Sequence, residues 1–119
     1  MHQALTEAVY YILLSLLQPM HGYGIMQNVE KWSGGRMRLA AGTLYGAINT
    51  LLEKGWIQAL PEEKDSRKKE YVITALGREV LEGEIVRLTE LVENGNRILG
   101  GGTDEESLSC FCVLSKGNG

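Results

Sequence analysis

Apolar residues first recur at three- and four-residue spacing between about Leu5 and Leu17, with Leu5, Val9, Ile12, Leu13, Leu16 and Leu17 forming one broad stripe. That period predicts an amphipathic helix. Gln18-Pro19-Met20-His21-Gly22 ends it, because proline cannot continue the hydrogen-bond ladder, and His21 reads as a turn or capping residue. A second helix is predicted from about Gly22 to Trp32, its inward stripe being Ile25, Val29 and Trp32. Ser33-Gly34-Gly35 stops it, glycine being the residue that takes a left-handed cap at least cost.

A third helix spans about Ala41 to Lys54 and is capped by Gly55. With Leu44 at the centre of its buried arc, Ala47, Ile48, Leu51 and Leu52 fall on the same side. The opposite side carries Gly42, Thr43, Gly46, Asn49, Thr50 and Glu53, with Tyr45 on the border. Glycine inside a helix costs about 1 kcal/mol relative to alanine, so Gly46 implies that something approaches closely there.

Two strand-like runs follow, Trp56-Ile57-Gln58-Ala59-Leu60 and Glu70-Tyr71-Val72-Ile73. They predict a hairpin whose long polar tip holds Lys64, Arg67, Lys68 and Lys69 within six residues. Trp56 and Tyr71 read as core anchors beside the third helix. Arg36 and Arg38, flanking Met37, read either as a third strand edge or as phosphate contacts. Thr74 is placed to cap a last helix that runs to about Leu99, with Gly77 just inside it to permit close packing on the hairpin.

In that last helix Leu81, Ile85, Leu88 and Val92 step by four, three and four, and the rhythm continues through Gly95 to Leu99. This is a heptad seam, and beyond the first helix the chain offers nothing to cover it. A second copy of the chain is the expected cover. Past Gly100-Gly101-Gly102 the pattern changes to an acidic stretch and then an apolar one holding Cys110 and Cys112. For this tail disorder, packing on the domain and a foreign origin all stay open.

At 119 residues the chain has room for one modest core. Its net charge of −3 is unevenly distributed: residues 1–74 sum to +1 and residues 75–119 to −4. The acidic total therefore leaves a local anion-facing patch open in the first part. The Cys-x-Cys pair has no second pair to complete a zinc site, and His2 and His21 add no ligand spacing. No metal and no cofactor are expected. The apolar run from Val9 to Leu17 has neither a basic leader nor the length of a membrane span, so a cytoplasmic protein without membrane contact is expected.

Enzyme motifs fail in turn. Gly22-Tyr23-Gly24 opens like a dinucleotide loop, but position 27 is Gln and no strand precedes it. Glu62-Glu63 and Glu105-Glu106 lie in polar stretches suited to solvation, and no serine sits in a nucleophile-elbow context. The order of elements that remains is helix, helix, helix, basic-tipped hairpin, long helix. Helices two and three make a helix-turn-helix whose third helix offers a small polar face to the major groove, with Asn49, Thr43 and Tyr45 as its base-edge readers. The hairpin brings Arg67, Lys68 and Lys69 to the flanking phosphates, where contacts set position and affinity rather than sequence preference.

Three segments carry a family resemblance: Ala41-Gly42-Thr43-Leu44-Tyr45, Leu51-Leu52-Glu53-Lys54-Gly55-Trp56-Ile57, and Lys69-Glu70-Tyr71-Val72-Ile73-Thr74-Ala75-Leu76-Gly77. With His21-Gly22-Tyr23-Gly24-Ile25 after an apolar first helix, the chain over about residues 5–99 resembles the PadR family of bacterial transcriptional regulators. The resemblance implies a mainly α fold with a small β-hairpin, a winged helix-turn-helix plus a long C-terminal dimerisation helix, homodimerisation, and repression of target promoters. It implies DNA-facing roles for Thr43, Tyr45, Arg67 and Lys68, and matches Tyr23 to the family's second-helix tyrosine. Some relatives release DNA on binding a small aromatic or drug-like effector, but the last helix here has no aromatic residue for the stacking platform some of them use. The single last helix resembles the family's short-tailed branch.

The expected organisation is a DNA-binding domain over residues 1–74, a dimerisation helix over 75–99, and a tail over 100–119. Tyr23, Gly42, Thr43, Tyr45, Gly46, Asn49, Lys64, Arg67, Lys68 and Lys69 are the expected contacts to double-stranded DNA. Leu81, Ile85, Leu88, Val92 and Leu99 are the expected dimer contacts. The operator should be a pseudo-palindrome with half-sites about 10 bp apart or a near multiple, read in good part through DNA shape. Two rival readings are a winged-helix module whose basic wing meets an acidic protein, and a multidrug-responsive sensor that captures a small molecule.

Overall fold

The computed structural model describes residues 4–61 and 69–101. Its elements are α1 (Glu7–Ser15), β1 (Met20–His21), α2 (Gly22–Trp32), α3 (Ala41–Lys54), β2 (Ile57–Ala59), β3 (Glu70–Ile73) and α4 (Ala75–Leu99). The chain forms two compact units, Met1–Glu84 and Ile85–Gly119. The wing tip with Lys64, Arg67 and Lys68, and the tail with Cys110 and Cys112, lie outside the described residues.

In the first unit, one core joins α1, α2, α3, the sheet and the start of α4. Ile12, Leu13 and Leu16 meet Ile25 and Val29, Leu44, Ile48 and Leu51, then Ile57, Tyr71 and Leu81, all buried. Burying a large aliphatic side chain contributes about 1.5–3 kcal/mol, so this cluster is the main source of the unit's stability. The helical periods seen in the sequence are therefore packing periods: the predicted inward stripe of α3 holds Leu44, Ile48 and Leu51 fully buried, with Ala47 and Leu52 half-buried beside them.

The sheet is three-stranded and antiparallel, in the order β1-β3-β2. Tyr71 on the central strand pairs with Ala59 on one side and Met20 on the other, and Ile57 pairs with Ile73. His21 is thus a strand residue opposite Glu70 that also holds the N-cap position of α2, so the capping position is as read and the turn is not. The third strand is built from Met20–His21 and not from Arg36 to Arg38, where the backbone is irregular. Two residues cannot reveal a strand by period, because alternation needs at least four positions to register.

The junction between wing and last helix is tight. Gly55 takes a left-handed φ of 76° as the C-cap of α3, and the backbone N–H of Thr74 donates to the carbonyl of Trp56 at 2.9 Å. The Thr74 hydroxyl donates to the carbonyl of Gly55 at 2.6 Å and accepts from the N–H of Gly77 at 3.1 Å, which caps α4. A Cβ at Gly77 would stand 2.0 Å from the Trp56 carbonyl oxygen, so only glycine fits there. The start of α4 is thereby held against the end of α3, and Leu81 is carried into the core. Leu81 is 3% exposed. Its heptad spacing grouped it with the dimer seam, but its side chain is used inside the first unit.

Trp32 also departs from the sequence reading. It is 43% exposed and touches the ring of Tyr11 at 6.4 Å between centroids, instead of entering the core. It sits at the last position of α2, where the inward arc is already filled by Ile25 and Val29. In the second unit, Ile85, Val92 and Leu99 are exposed and Leu88 is half-buried.

Gly77→Ala should lower folding stability by about 2–3 kcal/mol, although alanine is the better helix former by about 1 kcal/mol. Thr74→Ala should cost about 1 kcal/mol through the lost cap. Urea unfolding of both variants measures the ranking.

Candidate nucleic-acid interface

Because α3 buries Leu44, Ile48 and Leu51, its opposite face is committed to the surface: Gly42, Thr43, Tyr45, Gly46 and Asn49 are all exposed. A Cβ added at Gly42 or Gly46 would meet nothing within 4 Å. Among the described residues no neighbour demands either glycine. The result is a helix face low enough for another rigid surface to come near the backbone. Thr50 keeps its hydroxyl on the helix, donating to the carbonyl of Gly46 at 3.2 Å.

Tyr45 is shaped from below by α2. It is 45% exposed, and its phenol end lies where a Cβ of Gly22 would be, 2.3 Å from that position. Gly22 opens α2, so the tyrosine ring closes over the first turn of the neighbouring helix. Tyr23, next in α2, is 62% exposed and lies outside the buried core cluster. Both α2 and α3 start without a side-chain cap, at His21 and Ala40, leaving first-turn backbone N–H groups for outside acceptors.

The described part of the wing ends in exposed Lys69 beside β3, where the N–H of Leu60 donates to the carbonyl of Glu70 at 2.9 Å. Arg36 and Arg38, the other candidate phosphate contacts, are both paired with acids. Arg36 meets Glu7 of α1, and Arg38 Nε lies 3.3 Å from Glu30 of α2. The hydrogen bond and charge of Glu7 raise the Arg36 pKa above its ordinary value. The Arg36–Glu7 pair spans 29 residues, so nothing local in the sequence signals it.

Among the described residues no group of three or more His, Cys, Asp or Glu could hold a metal ion. No helix among them is long and apolar enough to cross a membrane.

Comparison with known proteins follows the same outline. A family profile described as "Transcriptional regulator PadR-like family" matches residues 12–83. An uncharacterized 37.1 kDa protein in a transposon of Streptomyces fradiae is 38% identical over 86 residues, covering 71% of this chain. The matched part is 24% of that relative, so the chain spans about a quarter of the length of the curated protein it matches. Among solved structures, a transcriptional regulator from Clostridium thermocellum superposes with a TM-score of 0.59 at 26% identity, covering 74% of this chain and 89% of that one. A PadR family transcription regulator from Clostridium difficile has a TM-score of 0.63 at 23% identity, covering 77% and 98%. The winged helix with a long final helix is the shared architecture.

The Gly22–Tyr45 contact should be measurable in isolation. Gly22→Ala should turn the tyrosine ring aside at a modest cost, and combining it with Tyr45→Ala should recover about 0.5–1 kcal/mol relative to additivity. A double-mutant cycle by urea unfolding reads this coupling; strict additivity would mean that the ring does not rest on Gly22.

Proposed function

The chain belongs to the PadR-like family of transcriptional regulators, and on that premise we propose that it is a sequence-specific DNA-binding repressor acting as a homodimer in the cytoplasm. In this reading the exposed face of α3 enters the major groove. Thr43, Tyr45 and Asn49 meet base edges there, Gly42 and Gly46 let the helix backbone approach, and Tyr23 lies beside the flanking strand. Lys64, Arg67, Lys68 and Lys69 of the wing neutralise phosphates. The observation that carries the reading is the open space over Gly46 in the middle of α3. A glycine there destabilises the helix by about 1 kcal/mol, and nothing among the described residues requires it. A close-approaching external surface accounts for it.

The apolar residues Ile85, Leu88, Val92 and Leu99 of α4 form the dimer contact in this proposal, with Leu81 left to the core. Pairing through them would present two α3 helices to a pseudo-palindromic operator, and repression would follow from occupancy of a promoter. An acidic net charge of −3 is compatible with this, because residues 1–74 sum to +1 and four of the chain's twelve Lys and Arg fall between Lys64 and Lys69.

Selection of bound duplexes from a random pool should return a two-fold-related site with half-sites about 10 bp apart or a near multiple. Against that site, Gly46→Ala should fold up to about 1 kcal/mol more stably yet bind at least tenfold more weakly, a combination that a purely structural glycine would not produce. Replacing Arg67 and Lys68 by Ala should weaken binding to all sequences alike, with the log–log salt slope falling by about one per lost phosphate contact. Leu88→Asp should give monomers in sedimentation and abolish tight operator binding, since it would bury an unpaired charge in the seam. Recovery of no enriched sequence, at low salt, would overturn the reading.

A further inference from the structure

One flank of α3 borders a cleft with no assigned role. Its volume is about 280 Å³, close to the roughly 300 Å³ at which ligand pockets begin. The lining is mainly aliphatic: Ala4 and Leu5 just before α1 and Val9 within it face Ala47 and Leu51 of α3, and Trp56 closes one side. Thr6 is held in place as the N-cap of α1, accepting from the N–H of Val9 at 3.2 Å. The segment is tethered a second time by the N–H of Leu5, which donates to the buried carboxylate of Glu84 at 3.0 Å. These ties make one wall of the cleft preformed instead of a loose end.

One cation faces this apolar space. Lys54 lines the cleft, and its Nζ stands 4.8 Å above the centre of the Trp56 ring. Among the described residues no carboxylate pairs with it. An ammonium group fixed by an aromatic face, beside aliphatic walls and without a counter-charge, matches one kind of ligand: an apolar body ending in a single negative charge. The aliphatic lining, and the occupation of the indole face by the lysine, favour an alkyl chain over a stacked ring. We propose that this cleft is a binding site for a small alkyl carboxylate, and that its occupation weakens DNA binding.

The second part of the proposal rests on the function proposed above and follows from position. Ala47, Thr50 and Lys54 belong to both the cleft and the helix that carries Gly46 and Asn49. A bound carboxylate offsets the Lys54 charge and adds negative charge to the helix that enters the major groove in the proposed function, which lowers its attraction for duplex phosphates.

Titration of the full chain with octanoate, followed by two-dimensional NMR, tests the site. Saturable shifts are expected at the Trp56 indole N–H and the amides of Val9, Ala47 and Thr50, with the Trp32 indole unmoved. Octan-1-ol should bind at least twofold more weakly. Lys54→Ala should lose about two- to fivefold in octanoate affinity, the range of an exposed ion pair, while Lys54→Arg retains it. Absence of saturable shifts at millimolar octanoate, or shifts centred on Ile85 and Val92 instead, would overturn the site. Octanoate should also weaken binding to a selected duplex in the parent chain, and Lys54→Ala should need about two- to fivefold more octanoate for the same effect. Unchanged duplex affinity would overturn the coupling alone. A chain that binds no duplex would overturn the proposed function and leave the NMR result to judge the cleft.

Discussion

Four segments of the chain converge on two neighbouring carbonyls, those of Gly55 and Trp56. The end of α3 stops there in a left-handed glycine, β2 begins there, β3 ends at the Thr74 that bonds to both, and α4 starts from the same threonine. Gly77 is the condition for this arrangement, since any side chain would collide with the Trp56 oxygen. The hydrogen bonds are individually modest, about 1 kcal/mol each. Their weight comes from geometry, because they fix where the wing leaves α3 and where α4 departs from the sheet.

The consequence for α3 is a division of labour around its circumference. One side supplies Leu44, Ile48 and Leu51 to the core, and this holds the helix rigidly. The opposite side is left small and exposed, with no cost in lost packing, because the core is already closed beneath it. Between them lies a flank that meets the start of α1 and Trp56. In the proposed role, rigidity on the first side would make the second a dependable recognition surface, since a loosely held helix would lose affinity to its own ordering entropy.

The aromatic residues obey a similar economy of space. Tyr71 is consumed by the central strand, paired with both neighbours and almost wholly buried. Tyr45 instead lies against a glycine of α2 and stays half in solvent. Trp32 and Tyr11 touch each other near the surface. Residue type alone does not separate these fates.

The helical periods, the glycine stops, the strand pair of the hairpin and the capping threonine were all readable along the chain, because each depends on residues close together in sequence. The same local logic placed the exposed face of α3 and the close packing at Gly77. What period and propensity could not reveal depended on residues distant in sequence. Leu81 shared the heptad rhythm of its helix, yet its burial was decided by the core it meets. Met20 and His21 became a strand only because β3 offered them an edge. Arg36 and Arg38 found their acids on α1 and α2 across intervening chain. A repeat of hydrophobic positions says which side of an element seeks cover; only the folded arrangement decides what covers it.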